Sequence, residues 1–317
     1  MLDKETMKPI TASYASGGGG LKQKKINCQC VILCFAVMVS SVCAKDVRYL
    51  EQVAAKLSPS RKVVYKSVGQ RSLYLHIFDP EGFKEEDRRP AFVTFHGGGW
   101  SGMTPRNFYP FAKAFADQAM VGISVEYRLR NKKREITVFD CVKDARSAIR
   151  FIRKNASMLG IDPGRIIVSG GSAGGHLAAA TALFDDVNDK DDDLTVSCRP
   201  DLLVLYYPVI DTSADGYGQP KIGERWRELS PVDRVKSGLP PTLLLHGAKD
   251  TLTPFAGAER FHKAMLKAGN VCEMIVQKSG NHGYFLYDKE SFDAAMRQTL
   301  DFIRSQIRLD DIKPGSM

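Results

Sequence analysis

The stretch Arg165-Ile-Ile-Val-Ser-Gly-Gly-Ser-Ala-Gly-Gly-His-Leu-Ala-Ala-Ala180 decides the fold of this chain. A short apolar run, Ile166 to Val168, meets glycines and then a small-residue run suited to the start of a helix. Inside it, Gly170-Gly171-Ser172-Ala173-Gly174 fits G-x-S-x-G, the pattern of a sharp strand-to-helix elbow that lifts a serine hydroxyl off the end of a sheet. Glycine is required two positions before and after the serine because helix and strand approach too closely there for a Cβ.

Outward from the elbow, the chain alternates between strand and helix patterns. Residues 61–79 alternate around Gly69-Gln70 and predict a β-hairpin that ends at Asp79-Pro80. Strands are expected at 91–95, 121–125, 166–168, 202–206, 242–245 and 273–277, with 91–95, 202–206 and 242–245 read as buried. Between them, apolar residues at helical spacing predict helices over 108–119, 139–155, 176–183, 255–268 and 292–307. Such alternation with near-continuous apolar strands implies an α/β domain with a mostly parallel sheet covered on both faces. Neither the acidic loop 185–193 nor the glycine-rich loop 211–223 is long enough for a separate cap domain. The acidic loop reads as solvated rather than calcium-binding, since it lacks the turn glycine and closing glutamate of a calcium loop.

A serine is a poor nucleophile at neutral pH and needs a base that is itself oriented by a carboxylate. Downstream, Leu243-Leu-Leu-His-Gly-Ala-Lys-Asp250 is a buried strand that runs into a glycine turn and an aspartate. Asn281-His282-Gly283-Tyr284 then follows the last strand. Ser172, Asp250 and His282 therefore stand in the order serine, acid, histidine, each beyond the carboxyl end of a strand. His76, His176, His246 and His262 read as structural, Asp211 as an alternative acid one strand early, and Asp201 and Asp233 as caps or solvated groups. Upstream, His96-Gly-Gly-Gly-Trp100 follows a strand. Its glycines leave backbone N–H groups unobstructed, and Gly98, Gly99 and Ala173 are the expected oxyanion donors. A phosphate cradle is the weaker reading, because neither a lysine nor a helix follows those glycines. Trp100, Tyr206 and Tyr207 are candidates to line the acyl or sugar site, with aromatic core packing as the alternative.

Length and composition bound the rest. The chain has 317 residues, 44% hydrophobic and 26% charged, with net charge +9. Residues 1–44 hold five lysines and two acids, so residues 45–317 carry 40 basic against 34 acidic side chains. That mild excess, without an arginine–aromatic array, excludes a nucleic-acid partner as the leading reading. Arg130-Asn-Lys-Lys-Arg134 reads as a solvated loop. Lys22, Lys24 and Lys25 precede ten apolar residues, Cys30 to Val39, and then Val42-Cys43-Ala44. This predicts a signal peptide cleaved after Ala44, behind a leader over residues 1–20, and a secreted or periplasmic product. The apolar run is short of the ~20 residues a membrane span needs, so no stable span is expected after cleavage; an uncleaved anchor is the alternative. Three of the seven cysteines, Cys141, Cys198 and Cys272, follow the cleavage point and form neither a disulfide framework nor a metal pattern. One bridge or three buried thiols are both open. No metal or cofactor is expected.

With these residues in view, the chain resembles the α/β-hydrolases of the hormone-sensitive-lipase and acetyl-esterase-like group. The resemblance rests on His96-Gly-Gly-Gly-Trp100, Val125-Glu-Tyr-Arg-Leu129, Gly160-Ile-Asp-Pro163, Gly170-Gly-Ser-Ala-Gly-Gly175, Asp250 and His282, spread over about residues 61–307. It departs from that group where Gly171 replaces the usual acid before the serine and where Arg130-Asn-Lys replaces Ala-Pro-Glu. An N-terminal lipase cap would need more residues than lie between Ala44 and the first strand. His246-Gly-Ala-Lys-Asp-Thr-Leu-Thr-Pro254 is also similar to the acid loop of prolyl-oligopeptidase-type and carbohydrate-acetyl-esterase-type hydrolases. The resemblance implies an α/β-hydrolase domain over 45–317 acting as a serine carboxylesterase on short, acetyl-type esters of small molecules or saccharides. The rivals are a serine peptidase or amidase of related fold and a catalytically dead binding protein.

Overall fold

The computed structural model describes residues 48–307; the expected leader, the cleavage point after Ala44 and the first four cysteines lie outside them. The chain enters through a helix, α1 (Tyr49–Lys56), and turns into the expected hairpin of β1 (Arg61–Val68) and β2 (Arg71–Phe78). Gly69, at φ +58°, supplies the left-handed turn that joins the two strands. Then follow β3 (Arg89–Phe95), α2 (Tyr109–Ala116), β4 (Val121–Val125), α3 (Val138–Lys154), β5 (Ile161–Gly171) and α4 (Ala173–Leu183). The last part holds β6 (Leu202–Tyr206), a short turn of helix α5 (Gln219–Ile222), β7 (Thr242–Gly247), α6 (Phe255–Lys267), β8 (Cys272–Gln277) and α7 (Lys289–Gln306).

The eight strands form one sheet in the order β1-β2-β4-β3-β5-β6-β7-β8. Pairings of β1 with β2 and β2 with β4 are antiparallel, and all others are parallel. Strand residues alternate between two cores, as a period of two dictates. Leu203, Leu205 and Leu244 face the core shared with α3, α4 and α6. Their neighbours Leu202, Val204, Leu243 and Leu245 face Phe111, Phe115, Leu300 and Ile303 of α2 and α7. The two-faced layering read from the apolar strands is present.

Local signals explain where the helices begin. Thr137 and Asp140 form a reciprocal capping box at the start of α3, and the Asp288 side chain accepts from Ser291 N at 2.8 Å to start α7. Every residue of α4 is buried, which is why it is mostly alanine, glycine and leucine, with His176 and Thr181 its only polar side chains. Between β6 and β7 the chain makes only short helical turns, at 219–222, 224–229 and 231–234.

Two expectations are refined. Cys141, Cys198 and Cys272 are buried free thiols. The acidic loop is ion-paired rather than simply solvated. Asp189 meets Lys66 at 2.7 Å, Asp192 meets Arg150 at 2.7 Å and Asp193 meets Lys154 at 3.0 Å, which pins the loop onto β1 and α3. Among the described residues, no helix is long and apolar enough to cross a membrane, and no group of His, Cys, Asp or Glu could hold a metal ion.

Candidate active site

Five strand ends converge on one place. Immediately after β5, Ser172 adopts φ 57° and ψ −122°, a conformation a non-glycine residue holds only when its surroundings impose it. Here Ser172 N donates to Tyr206 O at 3.0 Å, while its carbonyl accepts from His176 N at 3.1 Å and Val209 N at 3.0 Å. The glycines flanking it are forced by close packing. A Cβ on Gly174 would lie 2.1 Å from Phe95 O, and one on Gly170 would lie 2.3 Å from Gly174 O.

The three sequence candidates are brought together. The Ser172 hydroxyl lies 3.0 Å from His282 Nε2, and His282 Nδ1 lies 2.8 Å from Asp250 Oδ2. The carboxylate selects the tautomer with the proton on Nδ1, which leaves Nε2 free to accept from Ser172. Burial raises the Asp250 pKa, but the bond and charge of His282 and the Thr253 donors outweigh it and hold the carboxyl below its usual range. Its Oδ1 accepts from Leu252 N and Thr253 N, both at 2.9 Å, and its Oδ2 from the Thr253 hydroxyl at 2.9 Å. The side chain of Asp250 is fully buried, whereas that of His282 is 22% exposed, so the base meets solvent and the acid does not.

The glycine run lies against the serine. A Cβ on Gly97 would be 3.3 Å from Ser172 Cβ and 3.0 Å from Gly171 O. Gly98 and Gly99 have φ +90° and +58°, and the Gly98 carbonyl accepts from Ser101 N at 3.1 Å and Gly102 N at 3.0 Å, closing a tight turn. Neither the Gly98 nor the Gly99 N–H donates to a protein acceptor among the described residues. Ala173 begins α4, so its N–H is one of those a helix leaves unpaired at its positive end. All three expected oxyanion donors therefore carry uncommitted N–H groups around Ser172. The Tyr127 hydroxyl donates to His96 O at 2.8 Å and lies 3.2 Å from Gly97 O, bracing the base of the loop.

The three aromatic candidates part company. Trp100 is fully buried, edge-on to His176 at 5.1 Å. Tyr206 is also fully buried, its hydroxyl 3.0 Å from Thr299 Oγ1 on α7. Both pack in the core, Tyr206 from its inward strand position and Trp100 from a left-handed turn at φ 60°. Tyr207 stands edge-on to the His282 ring at 4.9 Å and forms the wall beneath the base.

The competing histidines and acid have other partners, and only His246 lies beside the site, its Nε2 3.5 Å from Asp250 Oδ2. His176 Nε2 lies 2.8 Å from Leu229 O, His246 Nε2 2.8 Å from Thr253 O and His262 Nε2 3.1 Å from Cys272 O. His76 bonds Tyr109, and Asp211 is paired with Arg260. Thr253 was not among the sequence candidates. The signal for it is a hydroxyl three residues past the acid, where a tight turn returns it to the carboxylate.

Comparison with known proteins agrees with this fold. A family model described as BD-FAE matches residues 75–214, and one described as TAP-like protein matches 224–302. The apo form of Thermogutta terrifontis esterase 2 is 35% identical, with TM-score 0.75, over 84% of this chain and 100% of that one. An acetylxylan esterase of Xylanibacter ruminicola is 28% identical over 61% of this chain and 41% of its own. An endo-1,4-beta-xylanase B of Butyrivibrio fibrisolvens is 26% identical over 80% of this chain and 41% of its own. The chain thus spans under half the length of these two curated relatives.

Proposed function

Because this chain belongs to the hormone-sensitive-lipase-like group of α/β-hydrolases, we propose that it is a serine carboxylesterase that hydrolyses short, acetyl-type esters, with acetylated saccharides as the substrate class. The observation that carries this reading is the relay from Ser172 Oγ through His282 to Asp250, with links of 3.0 and 2.8 Å. His282 Nε2 takes the hydroxyl proton as Ser172 attacks the ester carbonyl carbon. The resulting oxyanion is held by the N–H groups of Gly98, Gly99 and Ala173, each donor worth about 10²–10³ in rate. The tetrahedral intermediate collapses to an acyl-enzyme as His282 returns its proton to the departing alcohol. Water, activated by the same imidazole, then releases the acid.

The small-acyl reading draws on Tyr207 and Phe108, whose rings crowd Gly171 beside the nucleophile. The saccharide reading draws on the acetylxylan esterase relative. Export is part of the same proposal and concerns residues outside those described. Hydrolysis of p-nitrophenyl acetate by the wild type and by Ser172→Ala tests the core of it. We expect the variant to lose about 10⁴-fold or more in kcat. Equal rates would end the triad assignment, and no turnover by either protein would favour a binding role. Acetate release from acetylated xylan, set against a chain-length series of p-nitrophenyl esters, tests the substrate class.

A further inference from the structure

We propose that Lys221, held in place by Arg130, is a specificity-determining cation that receives a carboxylate carried by the substrate, so that anionic esters are preferred over neutral ones. The inference rests on the esterase reading of Ser172 and adds the charge of the substrate to it.

Lys221 lies on α5 and reaches back over the oxyanion loop. Its ammonium donates to Gly99 O at 3.3 Å and to the Tyr217 hydroxyl at 2.7 Å, and sits 4.9 Å from the Tyr217 ring centre. Every one of these partners is neutral. Arg130 completes a bracket around the loop: its N–H donates to Trp100 O at 2.6 Å, and its Nε donates to Lys221 O at 2.9 Å. Both side chains are half-buried, and neither forms an ion pair among the described residues.

Most half-buried cations elsewhere are neutralised, with Lys143 an exception. Lys66 meets Asp144 at 2.9 Å, Arg128 meets it at 2.7 Å, and Arg150 meets Asp192 at 2.7 Å. Arg146, which meets Asn188 and Ala180 O instead, is enclosed at 3% exposure and can receive no ligand. A strap for the Gly99 carbonyl requires only a neutral donor. Placing an ammonium there without a carboxylate leaves a desolvated charge that a bound anion would compensate. On the turn that follows Arg130, closed by the Asn131–Ile136 bridge, Lys132, Lys133 and Arg134 stand exposed, as do Glu135 and, on the loop after α5, Glu224.

The reach is suitable. Gly97 abuts Ser172, and Gly99 is two residues further on, a span of at most about 7 Å. Lys221, bonded to Gly99 O, is thus a neighbour of the oxyanion loop, and the proposal requires its ammonium to meet a carboxylate about one aromatic ring or one sugar unit beyond the acyl centre, as in a uronate or an aromatic acid.

Two pairs of esters test this and distinguish the side that carries the charge. The first is 4-acetoxybenzoate against its methyl ester, with the carboxylate on the leaving alcohol. The second is p-nitrophenyl hemisuccinate against p-nitrophenyl butyrate, with it on the acyl group. In one pair the ratio of kcat/KM, anionic over neutral, is expected to be about tenfold higher in the wild type than in Lys221→Met. Lys221→Arg should keep most of that ratio, and added salt should shrink it in the wild type. The same ratio in wild type and Lys221→Met for both pairs would overturn the proposal. So would an equal fall on all four esters in Lys221→Met, which would make the lysine a strap for Gly99 only. Should Lys221→Met not fold, a wild-type ratio indifferent to salt overturns it. No turnover of any ester by the wild type would instead strike the esterase reading, and this inference with it.

Discussion

Gly171 and Thr253 bear on the candidate site more than their chemistry suggests. Gly171 stands where the related group commonly carries an acid, and the structure supplies the reason for the departure. A Cβ there would fall 2.6 Å from the Tyr207 hydroxyl and 2.8 Å from Phe108 Cζ, so two aromatic rings fill the space an acidic side chain would need. Restoring the acid by Gly171→Asp should destabilise the protein by about 2 kcal/mol through overpacking, measured by urea unfolding. Combined with Tyr207→Ala, the effect should be less than additive by at least about 1 kcal/mol; full additivity would show that the rings are not the obstacle. Thr253 acts on the acid and base together, its hydroxyl 2.9 Å from Asp250 Oδ2 and 3.2 Å from His282 Nδ1. Thr253→Val keeps the shape and removes the donor, so kcat should fall about tenfold with KM held within about twofold, and Thr253→Ser should recover most of the loss. A change confined to KM would contradict this role. Residue identity made Ser172, Asp250 and His282 legible, because nucleophile, acid and base must follow a fixed chain order at strand ends. Thr253 and Tyr207 were less legible, because their roles depend on a turn geometry and a ring packing that spacing does not encode.

Most strands were legible to within two residues, whereas the elbow strand, expected over 166–168, runs from Ile161 to Gly171. The run 202–206 is apolar at every position and is a strand over Leu202–Tyr206, buried on both faces. Helix starts were less so: α7 begins at Lys289, three residues before the first apolar-periodic residue, because the capping Asp288 recruits polar residues into the first turn. The acidic loop was the least legible element, since charge alone does not separate a solvated run from a paired one. It joins a buried ionic cluster in which Asp144, with a fully buried side chain, accepts from Arg128 at 2.7 and 2.8 Å and meets Lys66 at 2.9 Å, while Asp189 closes on the same lysine. Arg128 directly follows Tyr127, the residue that braces His96 and Gly97, so this cluster also anchors the oxyanion loop from behind. Asp144→Asn leaves two cations poorly compensated and should cost about 3–5 kcal/mol, lowering Tm by roughly 10 °C. Asp189→Asn, at the cluster's open edge, should cost less; equal losses in calorimetry would mean that the buried carboxylate is not the keystone.

The whole molecule has an acid-sensitive core. His96, stacked on Tyr127 at 4.3 Å, and His176, inside the fully buried α4, are held neutral. Burial lowers the pKa of each to about 4, although each keeps a bond to a backbone carbonyl that favours the charged form. In the unfolded chain both would titrate near the ordinary ~6.5. Between these values the unfolded state binds protons that the folded state excludes, so stability is complete above about 6.5 and falls as pH drops toward 4. Each histidine contributes on the order of 3 kcal/mol to that fall. Asp250 acts in the same direction lower down. Its carboxyl is held below the ordinary range, so its contribution is present above the unfolded value of ~3.8 and is lost as pH falls further. The parallel sheet itself demands this arrangement, because its covering helix α4 has no solvent face on which His176 could be placed. Melting temperatures of the wild type should therefore decline steadily from pH 7 to pH 4.5. His176→Gln, which can still donate to Leu229 O, should start from a lower Tm and show a shallower decline. A variant whose Tm falls as steeply as that of the wild type would place the acid sensitivity in groups other than this buried imidazole.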